Sequence, residues 1–359
     1  MIKYFLQKLY KAYKEAIKEP QAILVNMPKQ YEIEPINFCN LKCPSCSTLF
    51  IKDKKFLKTD EFVEIIKEIP EFSSINLYHY GEPFLNPNIF DIIKEGKKKN
   101  LYLSIHSNMN FKEKLIPLIV DSGLDHLTAS MDGASNESYS KYRVNGDFNV
   151  AWRNFSELAK LRFEKGGSPK SLQWQFIVNK YNEHEIPKAK QMIKELPGDP
   201  SIYFLQMGFR QYLVEFERYS ESELDEILNE WLPKNKKYIN PYFLNPEQVY
   251  VSDPTICFFL WNAMYISVDG DVFPCCHTYK KEHSFGNLKN QSLSDIWNND
   301  NYVNSRRMFL EPDFKECNTI CSRCDNFLRL GKGNIISRHW RFLKWLARKA
   351  KEKRYLWDY

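Results

Sequence analysis

Residues 31–46 read YEIEPINFCNLKCPSC. The opening seven residues are a β-rich run, and the loop behind it carries Cys39, Cys43 and Cys46 in a C-x3-C-x2-C spacing. Three thiolates so close in sequence can wrap one cluster. A cubane iron–sulfur cluster has four irons, so three protein thiolates leave one iron open to an outside ligand, whereas structural zinc takes four protein ligands. The alternative on spacing alone is a zinc loop completed by a distant His79 or His106.

Outward from this loop the chain alternates. β-rich runs bounded by turn residues fall at 31–37, 74–80, 101–107, 125–132, 171–179 and 201–207, with stretches of helical period between them. Thr59 is placed to cap a helix whose apolar positions Phe62, Ile65, Ile66 and Ile69 share a face, and 89–98, 112–120, 150–163 and 183–195 continue the series. Repeated strand–helix alternation predicts an α/β fold with a parallel sheet and right-handed crossovers, open or barrel-like, whose chemistry gathers at the C-terminal strand ends. Special residues stand at those ends: Cys39, Gly81-Glu82-Pro83, Ser107-Asn108, Asp132-Gly133, Asn179 and Asn182. The stretch 209–250 reads as a helix plus an irregular connection broken by Pro233, Pro241 and Pro246. From Cys257 onward, short apolar runs, an Asp269-Gly270 hairpin turn and more cysteines predict a small metal-held β-hairpin unit.

The 359 residues suit about two domains, and 43% hydrophobic with 27% charged residues excludes a disordered or collagen-like chain. Nine cysteines in two clusters cannot all be disulfides. The first twenty residues scatter lysines through their apolar positions and offer no small-residue cleavage site, so no signal peptide is expected and the compartment is read as reducing, where Cys-x-x-Cys spacings mean metal or redox chemistry. No apolar run approaches the ~20 residues of a membrane span.

The C-x3-C-x2-C loop after strand one resembles the signature of the radical S-adenosylmethionine enzymes. The resemblance implies a partial (β/α)6 TIM-like barrel, with an open-site [4Fe-4S] cluster on Cys39, Cys43 and Cys46 and S-adenosylmethionine bound to it. Tyr80-Gly81-Glu82-Pro83 is similar to the motif whose backbone receives the methionyl amino group, and Ser107-Asn108 stands where the family contacts the ribose. Ser130-Met131-Asp132-Gly133 with Tyr142-Arg143 resembles a stretch of the subgroup with an auxiliary cluster, in which the arginine meets the methionyl carboxylate. One departure is Ser45, where the family usually places an aromatic residue near the adenine; Phe38 or Ile177 is expected to take over that packing. The implied chemistry is reductive cleavage of S-adenosylmethionine to a 5′-deoxyadenosyl radical that takes a hydrogen atom from substrate, with flavodoxin or ferredoxin as electron donor.

The C-terminal cysteines are similar to the family's auxiliary-cluster domain, of the SPASM or shorter twitch kind. Cys257-x12-Gly270-x4-Cys275 matches its opening hairpin and Cys321-x2-Cys324 closes a four-thiolate set, which implies one auxiliary [4Fe-4S] cluster. Cys317 in place of Cys257 is the alternative ligand, and structural zinc the alternative metal. Cys276 neighbours a ligand, so strand alternation points it the other way: either a buried apolar filler or a hydrogen-atom donor to a substrate radical. Donation would epimerise a carbon, whereas loss of an electron from the radical would dehydrogenate it. His106 and Asp132 are the expected catalytic polar groups, since they follow strands facing the presumed cofactor.

The expected organisation is an N-terminal amphipathic helix at 1–29, the barrel at 30–215, a connection at 216–249, the auxiliary-cluster domain at 250–330 and a basic amphipathic helix at 331–359. The last segment sets eight Lys and Arg residues between 338 and 354 against Glu352 alone, interleaved with Trp340, Trp345 and Leu346. Docking on the barrel is its plain reading, and a membrane surface or lipid-linked anion the alternative. The expected substrate is a small polar molecule, a sugar, aminocyclitol or lipid-linked glycan, because few residues precede strand one and leave no room for a peptide-leader domain. The expected outcome is dehydrogenation in the cytoplasm, with epimerisation or peptide modification as alternatives. A zinc-stabilised nucleic-acid-binding protein is the non-enzymatic one, and nucleic acid is not an expected partner.

Overall fold

In the computed structural model, residues 21–207, 221–239, 257–278, 280–311, 314 and 316–324 are described below. The N-terminal helix expected within 1–29 and the basic helix expected at 331–359 lie largely or wholly outside these residues. No helix among them is long and apolar enough to cross a membrane.

Six parallel strands carry the fold: β1 (Gln30–Ile33), β2 (Ser74–Asn76), β3 (Tyr102–Ser107), β4 (His126–Ser130), β5 (Ser171–Val178) and β6 (Ser201–Gln206). They pair in the order β6-β5-β4-β3-β2-β1, each with its sequence neighbour, as right-handed crossovers require. The helices between them are α1 (Thr59–Lys67), α2 (Ile89–Lys98), α3 (Ile116–Asp121), α4 (Asn136–Tyr142), α5 (Phe148–Lys165) and α6 (Ile186–Lys194). The parallel sheet expected from the alternation and the partial barrel implied by the resemblance are therefore present, and the strands begin and end within a few residues of the predicted runs.

Period-two patterning sorts the side chains. Along β5, Leu172, Trp174, Phe176 and Val178 are buried while the residues between them are half-buried. Trp174 packs among Phe148, Trp152, Phe155 and Phe176, and its Nε1–H donates to the Met131 carbonyl at 2.5 Å. The opposite set on neighbouring strands is polar and mutually bonded: Ser104 Oγ to Asn76 Oδ1 at 2.6 Å, His126 Nε2 with Thr128 Oγ1 at 2.9 Å, and Tyr203 OH to Gln175 Oε1 at 3.0 Å. The concave side of the sheet is thus a hydrogen-bonding lumen.

Local chemistry moved some helix ends. Lys58, not Thr59, is the N-cap of α1, and its N–H donates to Glu61 Oε2 at 2.9 Å. The stretch 112–120 divides into a 3-10 turn, Glu113–Leu115, and α3, because Pro117 enters in the first turn; Pro187 divides 183–195 in the same way. Helix α4, capped by the Ser135 side chain, is absent from the predicted series because its seven residues are too few to show a helical period. Within the expected connection, α7 (Glu221–Trp231) is the predicted helix.

The C-terminal unit is less separate than its sequence suggests. Helix α8 (Phe258–Asn262) leads into β7 (Ala263–Ile266), which pairs in parallel with β1 and turns at Gly270, φ +81°, into antiparallel β8 (Asp271–Phe273) and then β9 (Gly286–Asn287). The hairpin therefore extends the barrel's own nine-stranded sheet. Helices α9 (Leu293–Trp297) and α10 (Asp300–Leu310) cover it. Replacing Trp174 by alanine should lower the unfolding free energy by about 3–5 kcal/mol, whereas Phe163→Ala, on an exposed α5 position (61%), should change it by less than about 0.5 kcal/mol; denaturant midpoints at constant m check both.

Candidate active site

The first cysteine set sits where the rule for parallel sheets puts it, in the loop beyond the C-terminal end of β1. Cys46 N–H closes a turn on the Cys43 carbonyl at 3.0 Å. Each sulfur has a polar neighbour: Cys39 Sγ accepts from Leu41 N–H at 3.3 Å and Asn108 Nδ2 at 3.4 Å, Cys43 Sγ faces Arg143 Nη1 at 3.6 Å, and Cys46 Sγ meets Thr48 Oγ1 at 2.8 Å. Leu41, Cys43, Tyr142 and Met207 form a buried cluster, with Cys39, Cys46, Ile177 and Trp231 packed against it. Burial pushes the Cys39 thiol up to about 12 and Cys43 up to about 11, and neighbouring cysteines add to both. Such a set becomes three thiolates only when a strong positive centre joins it, which is what an iron–sulfur cluster provides. The donor set fits the group.

Glu82 ties the loop after β2 to the end of β3. Its carboxylate is buried, with Oε1 accepting from Ser107 Oγ at 2.8 Å and Phe84 N–H at 3.3 Å, and Oε2 from Asn108 N–H at 2.8 Å. Burial raises its pKa to about 7 against the pull of these donors. Gly81 must be glycine: a Cβ there would lie 2.1 Å from the Ile36 carbonyl oxygen. Pro83 begins a 3-10 turn, the Phe38 carbonyl accepts from Glu82 N–H at 3.0 Å, and the Tyr80 carbonyl accepts from the Thr48 hydroxyl. Ser107 and Asn108 are spent on protein contacts: Ser107 Oγ also accepts from Met109 N–H at 3.0 Å, and the Asn108 amide holds Asn40 at 2.9 Å. Ser45 has a job the sequence did not announce, since its hydroxyl bonds Tyr142 OH.

Asp132 proves to be a holder of Arg143. It is fully buried; Oδ2 accepts from Arg143 Nε at 2.6 Å and Oδ1 from Ile177 N–H at 2.6 Å. Each oxygen thus already accepts a hydrogen bond from the protein, and the carboxylate anchors the Arg143 side chain. Arg143 then has one guanidinium nitrogen on Asp132 and one toward Cys43, beside the Tyr142 ring. Ser130 ends β4 just inside this pair, and its hydroxyl makes no hydrogen bond among the described residues.

His106 lies in the lumen, stacked on Tyr78 with centroids 3.9 Å apart. Burial, reinforced by His126 and Arg143, pulls its pKa down to about 4, so at neutral pH it is an uncharged hydrogen-bonding group. The pair that sequence reading missed is Glu32 with His79: Glu32 Oε1 bonds His79 Nδ1, while His79 Nε2 is buried without a partner. Its signal is the Glu32–Glu34 alternation at the C-terminal end of β1, where a buried strand would ordinarily be apolar. Glu34 is buried, accepts from Val268 N–H at 3.1 Å, and burial raises it to about 7.

The second cysteine set converges as expected. Cys257, Cys275, Cys321 and Cys324 line one cavity whose other walls include Phe259, Leu260, Phe309 and Ile320. Burial and mutual repulsion push Cys275 and Cys321 well above the ordinary thiol range. Cys317 stands outside this set, near Ser305 Oγ and Thr319 Oγ1, which favours Cys257 as fourth ligand. Cys276 also stays off that cavity; after burial, Glu32 is the strongest influence on its thiol, and it in turn acts on Tyr78.

Residues 33–193 match the Radical SAM superfamily, and 257–325 match SPASM, an iron–sulfur cluster-binding domain. A Pyrococcus furiosus protein described as a tungsten-containing aldehyde ferredoxin oxidoreductase cofactor-modifying protein is 27% identical over 327 residues, 83% of this chain and 89% of that one. Among solved structures, Streptococcus suis SuiB bound to S-adenosylmethionine superposes with a TM-score of 0.59 at 17% identity, over 92% of this chain and 77% of that one. The anSMEcpe enzyme with S-adenosylmethionine and a peptide gives 0.51 at 18% identity, over 85% and 88%. The chain thus carries a radical SAM domain over residues 33–193 followed by a SPASM iron–sulfur cluster-binding domain over 257–325, and the cofactors these two domains imply are [4Fe-4S] clusters and S-adenosylmethionine.

Proposed function

We propose that this enzyme dehydrogenates a small polar substrate held in the barrel lumen. The observation that supports the reading is the divergence of two neighbours: Cys275 lines the four-cysteine cavity, while Cys276 does not, and its thiol is within electrostatic reach of Glu32 and Tyr78. One peptide bond thus separates the substrate's space from an auxiliary one-electron acceptor. When bound, the open-site cluster and S-adenosylmethionine supply a 5′-deoxyadenosyl radical that takes a hydrogen atom from the substrate.

The chain's own residues do the rest. Asp132 fixes the guanidinium of Arg143, which is suited to receive the methionyl carboxylate as a planar donor. Glu82 fixes the Gly81 loop, whose backbone receives the methionyl amino group. Phe38 and Ile177 stand at the strand ends for the adenine, with Asn108 and Ser130 nearby. Asn76, Thr128, Gln175, Tyr203 and neutral His106 offer hydrogen bonds to hydroxyl or amide groups, which favours a sugar, aminocyclitol or similar polar ring. An external reductant such as flavodoxin or ferredoxin delivers electrons, and the cytoplasm is the compartment that keeps such sites reduced.

A second reading rests on the same cysteine pair. On this reading the Cys276 thiol returns a hydrogen atom to the substrate radical, which would make the enzyme an epimerase. The relative that modifies another enzyme's cofactor and the structural neighbours crystallised with peptides mark larger polar substrates as the competing class.

Protein purified without oxygen should hold ~8 irons and ~8 sulfides per chain, falling to ~4 of each when Cys39, Cys43 and Cys46 are replaced together; zinc without labile sulfide would reject the assignment. With dithionite and S-adenosylmethionine the intact enzyme should form 5′-deoxyadenosine. In a screen of polar metabolites, the substrate should emerge two mass units lighter, whereas an isobaric product lost in Cys276→Ala would establish the epimerase. Asp132→Asn should weaken S-adenosylmethionine binding ~10–100-fold while leaving iron content unchanged, the range typical of residues that orient a ligand's partner; equilibrium binding on the loaded protein measures it.

A further inference from the structure

Helix α10 turns one face toward the four-cysteine cavity. Phe309 lines it, Ser305 Oγ bonds Thr319 Oγ1 at 2.8 Å close by, and Tyr302 stands within electrostatic reach of Cys275 and Cys321, with its hydroxyl on the Phe273 carbonyl at 3.2 Å. Arg306 shares this face, four residues after Tyr302 and three before Phe309. It is fully buried, at 0% exposure. Its Nε donates to the carbonyl of Leu260, itself a wall of the cavity, at 2.8 Å, and Nη1 donates to the Ala22 carbonyl at 3.0 Å and Asn298 Oδ1 at 3.2 Å. The guanidinium lies over the Trp297 ring at 4.1 Å and the Tyr302 ring at 5.0 Å. Nη2 is buried and has no partner, and no carboxylate among the described residues pairs with this cation.

A fully buried arginine without a carboxylate is costly unless a negative charge lies near in the same low-dielectric interior. Carbonyls and ring faces stabilise the cation only in part. Burial pulls its pKa down to about 10, so it remains charged at neutral pH. The four thiolates of the neighbouring cavity supply what is missing: around a [4Fe-4S] core they leave a net anion, which gains one more negative charge on reduction. We propose that Arg306 is the buried counter-charge of the auxiliary cluster and raises its reduction potential, making it a better acceptor for an electron leaving the lumen. The inference rests on the four-cysteine cluster, not on which substrate is oxidised.

The test uses the full chain carrying Cys39→Ala, Cys43→Ala and Cys46→Ala, so that the auxiliary cluster alone contributes to the signal, with potentials read by EPR-monitored redox titration. Arg306→Gln keeps a donor for the Leu260 carbonyl and removes the charge; Arg306→Lys keeps the charge. The Gln variant should show a midpoint lower by at least the 59 mV that corresponds to a tenfold change in a one-electron equilibrium, with the Lys variant shifted by clearly less. Loss of cluster iron in the Gln variant with retention in the Lys variant would also support a counter-charge. Equal midpoints in wild type and Gln, equal shifts in Gln and Lys, or loss of iron in both would overturn it. A parent protein with no iron at all would reject the cluster assignment, a failure recognisable before any arginine variant is made.

Discussion

Thiolates buried away from water are the constraint around which this molecule is arranged. A sulfur anion in an apolar pocket is unstable until a cluster joins it, so the protein must hold its cysteines in place without the stabilisation the cluster will bring. It does so with backbone. Cys39, Cys43 and Cys46 sit in a loop closed by its own N–H groups and by Lys42 N–H on the Val144 carbonyl. Neutral or cationic donors, Asn108 and Arg143, lie beside the sulfurs. The acidic residues nearby are each held by donors: Asp132 by Arg143, Glu82 by three neutral groups. An unpaired carboxylate there would oppose every thiolate.

Strand β1 couples the two halves of the chain. Its C-terminal end launches the first cysteine loop, and its free edge accepts β7, whose hairpin delivers Cys275 and Cys276. Glu34 seals the joint by accepting from Val268 N–H at the hairpin turn. Ladder hydrogen bonds fix register by the residue, so the spacing between the two sites is set by backbone geometry and not by docking of separate bodies. That is why a unit resembling a second domain in sequence behaves as an extension of the first in structure.

Much of this was readable in advance because parallel strands and crossover helices advertise themselves by periodicity, and because glycines and cysteines occur where nothing else suffices: Gly81 against the Ile36 carbonyl, Gly270 at positive φ, seven cysteines at ligand spacing. The roles of polar side chains were harder. Asp132 looks catalytic in a sequence, since it stands at a strand end in a barrel. Its true partner, Arg143, is separated from it by a helix that no pattern revealed, and only the fold brings guanidinium and carboxylate together. The Glu32–His79 pair was hidden for the same reason, its members being 47 positions apart. Pairing over such distances is a property of register, which alternation along one strand does not encode.

Chain geometry just beyond β8 lets one short segment serve two sites. The residues after Phe273 leave the strand in a bend and turn, and this sets the cysteine doublet so that Cys275 lines the cluster cavity while Cys276 does not. A histidine or serine at position 276 would leave the lumen polar but without an atom able to exchange hydrogen; an aliphatic residue would leave it inert. On the dehydrogenase reading, the thiol is a neighbour that a substrate radical must outrun by losing its electron. That loss is favoured when the acceptor is close and its potential high, and both conditions belong to the far side of the same peptide bond, where Cys275 faces the cavity walled by α10. The balance between the two fates of a radical is therefore written less in the lumen than in the electrostatics behind it, where buried charge decides how readily an electron leaves.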